Sequence, residues 1–139
     1  MRLFLIRHGQ TAWNKDGRAQ GHTDIGLDDI GLEQTEQLAL SFSGIEIDRV
    51  FSSDLLRCVQ TASGIARTGV EQSAIFRERS FGTWEGEPYQ EIHHRLRDAA
   101  AKLGVSEFNA RPDGGESVMD VWDRLEPAVA EIEDSHGNT

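Results

Sequence analysis

Four apolar residues near the start of the chain, Leu3-Phe4-Leu5-Ile6, run with no turn signal into Arg7-His8-Gly9. A strand that is apolar at every position has both faces covered, the condition of a parallel sheet with helices on either side. In open α/β sheets, ligands bind outside the carboxyl ends of such strands. The run therefore predicts a layered α/β fold, and a strand tip that carries a cation and an imidazole into a site. Gly9 would let backbone N–H groups approach an anion there.

The rest of the chain repeats the alternation. A polar stretch from Gly9 to Asp29, punctuated by Gly17, Gly21 and Gly26, reads as a long functional loop. A helix is predicted over Leu32–Phe42 and a strand over Asp48–Ser52. Ser53 and Asp54 offer an N-cap for a helix through Ile65 and Ala66, closed by Gly69. Ala74-Ile75-Phe76 reads as a weak strand leading into a polar loop with Gly82 and Gly86. Tyr89–Leu103 reads as a helix ended by Gly104. Ser117 caps a last helix with Val118, Val121, Trp122, Leu125, Val129 and Ile132 at three- and four-residue spacing, kinked at Pro127. No repeat, low-complexity tract or linker divides residues 1–139, which read as one domain.

Two more strand ends carry charge. Arg57 falls in the first turn of the second helix, where the helix dipole disfavours a cation unless an anion is bound beside it. Arg77-Glu78-Arg79 follows the third strand, and a Glu between two Arg suits a proton donor held near a phosphate. Each feature alone has an ordinary reading: a polar loop histidine, a solvated arginine, a surface ion-pair cluster. Glu85 competes with Glu78 for any acid role.

The net charge of −10 (24 acidic against 14 basic residues) argues against a nucleic-acid or membrane-surface binder, and leaves a small anionic ligand open. No apolar run is long enough to span a membrane. The single Cys58 excludes an intrachain disulfide framework, and the sequence reads as that of a soluble cytoplasmic protein. Cys58 itself reads as a buried small apolar residue. His93 and His94 are adjacent on a helix and point about 100° apart, so they make no metal face. Neither a Walker loop nor a G-x-S-x-G elbow is present.

Taken together, the segments Leu5–Asn14, Phe51–Ala62 and Phe76–Gly86 resemble the histidine phosphatase superfamily, whose fold is shared with cofactor-dependent phosphoglycerate mutase. The likeness includes the passage from Gly21 to Gln34 and the turn Gly114-Gly115-Glu116-Ser117. It implies a three-layer αβα domain with a mostly parallel central sheet. It implies His8 as the nucleophile that accepts a phosphoryl group, and Arg7 and Arg57 as clamps on the phosphate oxygens. Asn14 and Gly21 would line the same pocket, Glu78 would be the general acid and then the base, and Arg79 would meet the rest of the substrate. Neither metal nor cofactor is implied. Chemically, a phosphate dianion needs positive charge around it, which Arg supplies bidentately. A neutral imidazole is a competent nucleophile near pH 7.

The resemblance also implies a second active-site histidine, delivered by a strand to a Ser/Thr-His-Gly motif. Ser135-His136-Gly137 is read instead as the end of the last helix. The second histidine, the closing strand and a helix are then expected beyond Thr139, and the chain is expected to be a C-terminally truncated domain. The preferred activity is hydrolysis of a small phosphomonoester through a phosphohistidine. The mutase alternative is disfavoured by Phe81, where the mutase pattern has Tyr, and by a short cap whose basic residues are Arg95, Arg97, Lys102 and Arg111. A non-catalytic phosphate binder is the third reading. The sequence leaves oligomeric state open, a dimer included.

Overall fold

The structure is a computed structural model that describes residues 2–135; His136 lies outside them. Among the described residues, five helices and a two-stranded parallel sheet follow in the order α1 (Ala12–Lys15), α2 (Asp29–Ser41), β1 (Phe51–Ser52), α3 (Leu56–Ser63), β2 (Glu71–Gln72), α4 (Tyr89–Leu103) and α5 (Val118–Asp134). Single 3₁₀ turns cover Ala74–Phe76, Gly82–Trp84 and Glu107–Asn109. Phe51 pairs with Glu71 and Ser52 with Gln72, so β1, α3 and β2 form a parallel crossover unit of the α/β kind.

Local chemistry sets the helix ends. Thr11 caps α1 and Ser117 caps α5, each through a reciprocal capping box. Asp28 accepts from the Gly31 N–H at the head of α2. Gly104 takes the left-handed conformation, φ 67°, that ends α4. Ile92, Leu96 and Ala100 lie at four-residue spacing on one face of α4, and bury against Ala19, Phe81 and Ala110, with Trp84 at the margin. This small core supports the loops on which the site is built.

Several expectations are corrected. Leu3–Ile6 is not a buried strand: the only ladder among the described residues is β1 with β2. Phe4 and Ile6 face α2, where the Phe4 ring meets Phe42 edge-on at 5.2 Å, whereas Leu3 and Leu5 are 54% and 89% exposed. Phe4 and Ile6 keep 37% and 38% exposure, so the alternation is that of an extended segment with one face only partly covered. Ala74–Phe76 is a 3₁₀ turn because the Ser73 hydroxyl accepts from the Ile75 N–H, and the pairing residues are the polar Glu71 and Gln72 just before it. Helix α3 stops at Ser63 with Gly64 as its cap, before Gly69. Asp54 caps nothing there; Arg77 holds it, and the Leu56 N–H at the head of α3 is satisfied by Asp24 from the long loop.

Candidate active site

His8 is half-buried, and its Nδ1 lies 2.7 Å from the Gly9 carbonyl oxygen. Donation from Nδ1–H to that carbonyl leaves Nε2 with its lone pair free. Burial lowers the His8 pKa below its ordinary 6.5. The Gly9 hydrogen bond opposes that shift, the nearby charges of Arg57 and Arg7 add to it, and Glu78 opposes it weakly. Three of the residues singled out from sequence thus act electrostatically on one imidazole, which is neutral at pH 7. A cleft of about 210 Å³ opens beside it, lined by Arg7, Gly9, Gln34, Thr35 and Thr61, with Ile6 and Leu38 supplying apolar surface. A separate cavity of about 340 Å³ lies between β2 and the last turns of α5.

Gly9 serves a different purpose from the one expected of it. Its N–H is spent on the Thr61 hydroxyl at 3.0 Å, and that hydroxyl donates to the Arg57 carbonyl at 2.8 Å. A Cβ at Gly9 would come within 2.7 Å of the Gly31 carbonyl oxygen, so the glycine is needed for the close approach of α2 to the His8 loop.

Arg57 is 1% exposed. Its Nη1 donates to the Thr23 carbonyl at 3.0 Å and its Nη2 to the Gly21 carbonyl at 2.8 Å. Its Nε is buried with no hydrogen-bond partner among the described residues. Leaving a buried donor such as this Nε–H unpaired costs free energy, and the two carbonyls hold the rest of the guanidinium in place. Asn14 caps α1 through its Oδ1, which accepts from the Thr11 N–H and hydroxyl, and its amide nitrogen donates to no described residue. Gly21 is buried at φ +54°, contributing its carbonyl to Arg57.

Glu78 and Glu85 are separated by their surroundings. Glu85 is fully engaged: Oε1 accepts from His22 N at 2.8 Å and Phe81 N at 3.2 Å, and Oε2 accepts from Thr23 N at 2.8 Å and from the Thr23 hydroxyl. Glu78 has an exposed carboxylate whose Oε1 accepts only from Arg79 N at 3.0 Å, while its backbone carbonyl is held by His22 Nε2 at 2.9 Å and Arg124 Nη2 at 3.1 Å. Arg79 is turned toward the protein, donating to the Glu116 carbonyl at 2.6 Å and the Ala110 carbonyl at 2.8 Å. Burial lowers its pKa from the ordinary arginine value.

Sequence reasoning missed Arg124, Glu116 and His22. Arg124 donates to the carbonyls of Ile75, Arg77 and Glu78 and to both oxygens of Glu116, and Glu116 in turn accepts from the Ser80 N–H. The signal was an arginine set among the apolar positions Val121 and Leu125 of α5. Cys58 is half-buried, and burial raises its thiol pKa. No group of three His, Cys, Asp or Glu is placed to hold a metal ion among the described residues, and none of their helices is long and apolar enough to cross a membrane.

The model of the histidine phosphatase superfamily, branch 1, matches residues 3–139. The chain belongs to that superfamily. Among its relatives are phosphoglycerate mutase-like protein 4 of Arabidopsis thaliana, 36% identical over 96% of this chain and 61% of that protein, and glucosyl-3-phosphoglycerate phosphatase of Mycolicibacterium vanbaalenii, 38% identical over 94% and 59%. A solved mycobacterial glucosyl-3-phosphoglycerate phosphatase complexed with VO3 superposes with a TM-score of 0.79 at 31% identity, covering 94% of this chain and 66% of that one. The fold of this histidine phosphatase chain is therefore that of the phosphoglycerate mutase-like phosphatases. The chain spans about 60% of the length of these two curated relatives.

Proposed function

We propose that this chain carries the phosphoryl-transfer site of a phosphomonoester hydrolase, acting on a small phosphorylated metabolite through a phosphohistidine at His8. The observation that carries the reading is the His8 imidazole, held by Gly9, kept neutral, and lying within the field of Arg57, Arg7 and Glu78. His8 Nε2 attacks phosphorus, the N–P bond forms and the ester P–O bond breaks. Glu78 serves as the general acid, passing a proton to the departing alkoxide. Water then attacks phosphorus, giving its proton to Glu78, and the N–P bond breaks to release phosphate and neutral imidazole. Arg57 Nε, Arg7 and the Asn14 amide bind the phosphoryl oxygens, and positioning with charge stabilisation does most of the catalysis.

Phe81 favours hydrolase over mutase. It is buried against Tyr89 and beneath the Arg79 guanidinium, and has no hydroxyl to offer a retained substrate. The related proteins named as phosphatases support the same direction. The test is rapid quenching of the protein with p-nitrophenyl phosphate and detection of an acid-labile, alkali-stable phosphoprotein. The expected result is phosphohistidine in the wild type, none in His8→Ala, and accumulation in Glu78→Gln. A requirement for a bisphosphoglycerate primer would favour the mutase. Phosphate binding without any phosphohistidine would leave only a binder.

A further inference from the structure

We infer that Glu85 is a positioning residue, which holds the Arg57 guanidinium in place through the tripeptide Gly21-His22-Thr23. The inference rests on the phosphate-pocket reading of Arg57. Both carbonyls that orient Arg57 belong to this tripeptide, Gly21 to Nη2 and Thr23 to Nη1. The same tripeptide is nested on one carboxylate, since Glu85 accepts the N–H groups of His22 and Thr23 and the Thr23 hydroxyl. A third N–H, from Phe81, and the α4 core behind it fix the carboxylate from the other side. Gly21 is packed so tightly on Glu85 that a Cβ there would overlap the carboxylate, leaving the loop no slack.

The geometry forms a chain of orientation: the Phe81 core holds Glu85, Glu85 holds the 21–23 backbone, and that backbone aims Arg57 with its Nε unspent. A charged acceptor is needed because it must satisfy several donors that converge on one point. Glu85→Gln keeps the shape but replaces one acceptor oxygen with an NH2 donor facing N–H groups. The carbonyls then turn, and the guanidinium turns with them.

The experiment compares wild type, Glu85→Gln, Arg57→Ala and the double variant, using inorganic phosphate as the probe. Affinity is read by titration, and the Arg57 Nε–H resonance by ¹⁵N NMR of the ligand-free protein. Glu85→Gln should shift or broaden the Arg57 Nε–H signal while leaving the Ile92 and Leu96 amides unmoved. It should weaken phosphate binding roughly tenfold, the scale of a misaimed charge-assisted hydrogen bond. In the Arg57→Ala background the same change should cost nothing further, because Glu85 acts through Arg57. An equal loss in both backgrounds, or an unmoved Nε–H signal in folded Glu85→Gln, overturns the inference. Should Glu85→Gln fail to fold, Thr23→Val removes one tie and should move the Nε–H signal in the same sense; no movement overturns the inference. A wild type that binds no phosphate sinks the phosphate-pocket reading alone, because the Nε–H signal still reports whether Glu85 orients Arg57.

Discussion

At His8 the decisive quantity is which way the imidazole titrates. Burial, with Arg57 and Arg7 beside it, moves its pKa below 6.5, so the native state holds the imidazole neutral over a wider pH range than a free histidine would. The acid limb of kcat/KM, which reports the free enzyme, should therefore fall with a midpoint below pH 6.5. A midpoint at or above 6.5 in a pH–rate profile would contradict the surroundings of His8. Gly21 and Gly17 give a second test at this scale. Both have positive φ, +54° and +68°, but a Cβ at Gly17 meets nothing within 4 Å while one at Gly21 meets Glu85 and the Phe81 N–H. Gly17→Ala should cost about 1–2 kcal/mol for the left-handed backbone alone. Gly21→Ala should cost more, beyond the about 1–3 kcal/mol of such strain, because it also breaks the Glu85 nest. Urea denaturation of the two variants gives the comparison directly.

At the scale of elements, α5 holds the loop that carries Glu78. Arg124 reaches from the helix to three successive parts of the loop after β2, and the pair with Glu116 keeps it there at 2.9 Å. Lysine cannot reproduce this, because its ammonium is a point charge without the planar fork. Arg124→Lys should lower kcat roughly tenfold with little change in KM, since Glu78 loses its place while the phosphate contacts stay. A change confined to KM would show that the loop positions substrate rather than acid. Helices α4 and α5 were legible because apolar periodicity, Gly104 and Ser117 are local signals. Arg7, His8, Arg57 and Glu78 could be picked out as candidates because each follows an apolar or strand-like run, and the structure brings the other three within electrostatic reach of His8. The strand reading of Leu3–Ile6 failed because pairing depends on a neighbour, and no residue's own preference supplies one. The strand β2 was missed because Glu71 and Gln72 are polar and exposed, with nothing apolar to mark them. Arg124, Glu116 and the role of Glu85 were hidden for a related reason. They act through backbone carbonyls and N–H groups 36 to 63 residues away, which carry no side-chain signature.

Across the whole molecule, stability should depend on pH in two stages. The carboxyls of Asp28, Asp54 and Asp120 are held below their ordinary 3.8, by the Gln10 amide, the Arg77 guanidinium and the Ser117 N–H respectively. Glu71 is held below its ordinary 4.5 by Arg49. Burial works against Glu116, but Arg124 and the Ser80 N–H outweigh it, and its pKa is also lowered. In each case the unfolded chain takes up protons at a higher pH than the native state does, so stability present above the unfolded value is lost as pH falls. His8 has the same sign but starts near 6.5. Opposing both is the net charge of −10, whose self-repulsion eases as pH falls toward the sequence pI of about 4.8. One histidine against that relief leaves a shallow slope between pH 6.5 and 4.5. Below 4.5 the five carboxyls act together while net charge turns positive, and the slope should steepen. Thermal melts from pH 8 to pH 3 should show that break. Wild type should also lose stability relative to His8→Asn between pH 6.5 and pH 5, because only wild type carries the imidazole that the native state resists protonating. A steep loss already at pH 6, absent from His8→Asn, would place control of the fold in that single buried histidine instead of in the carboxylates.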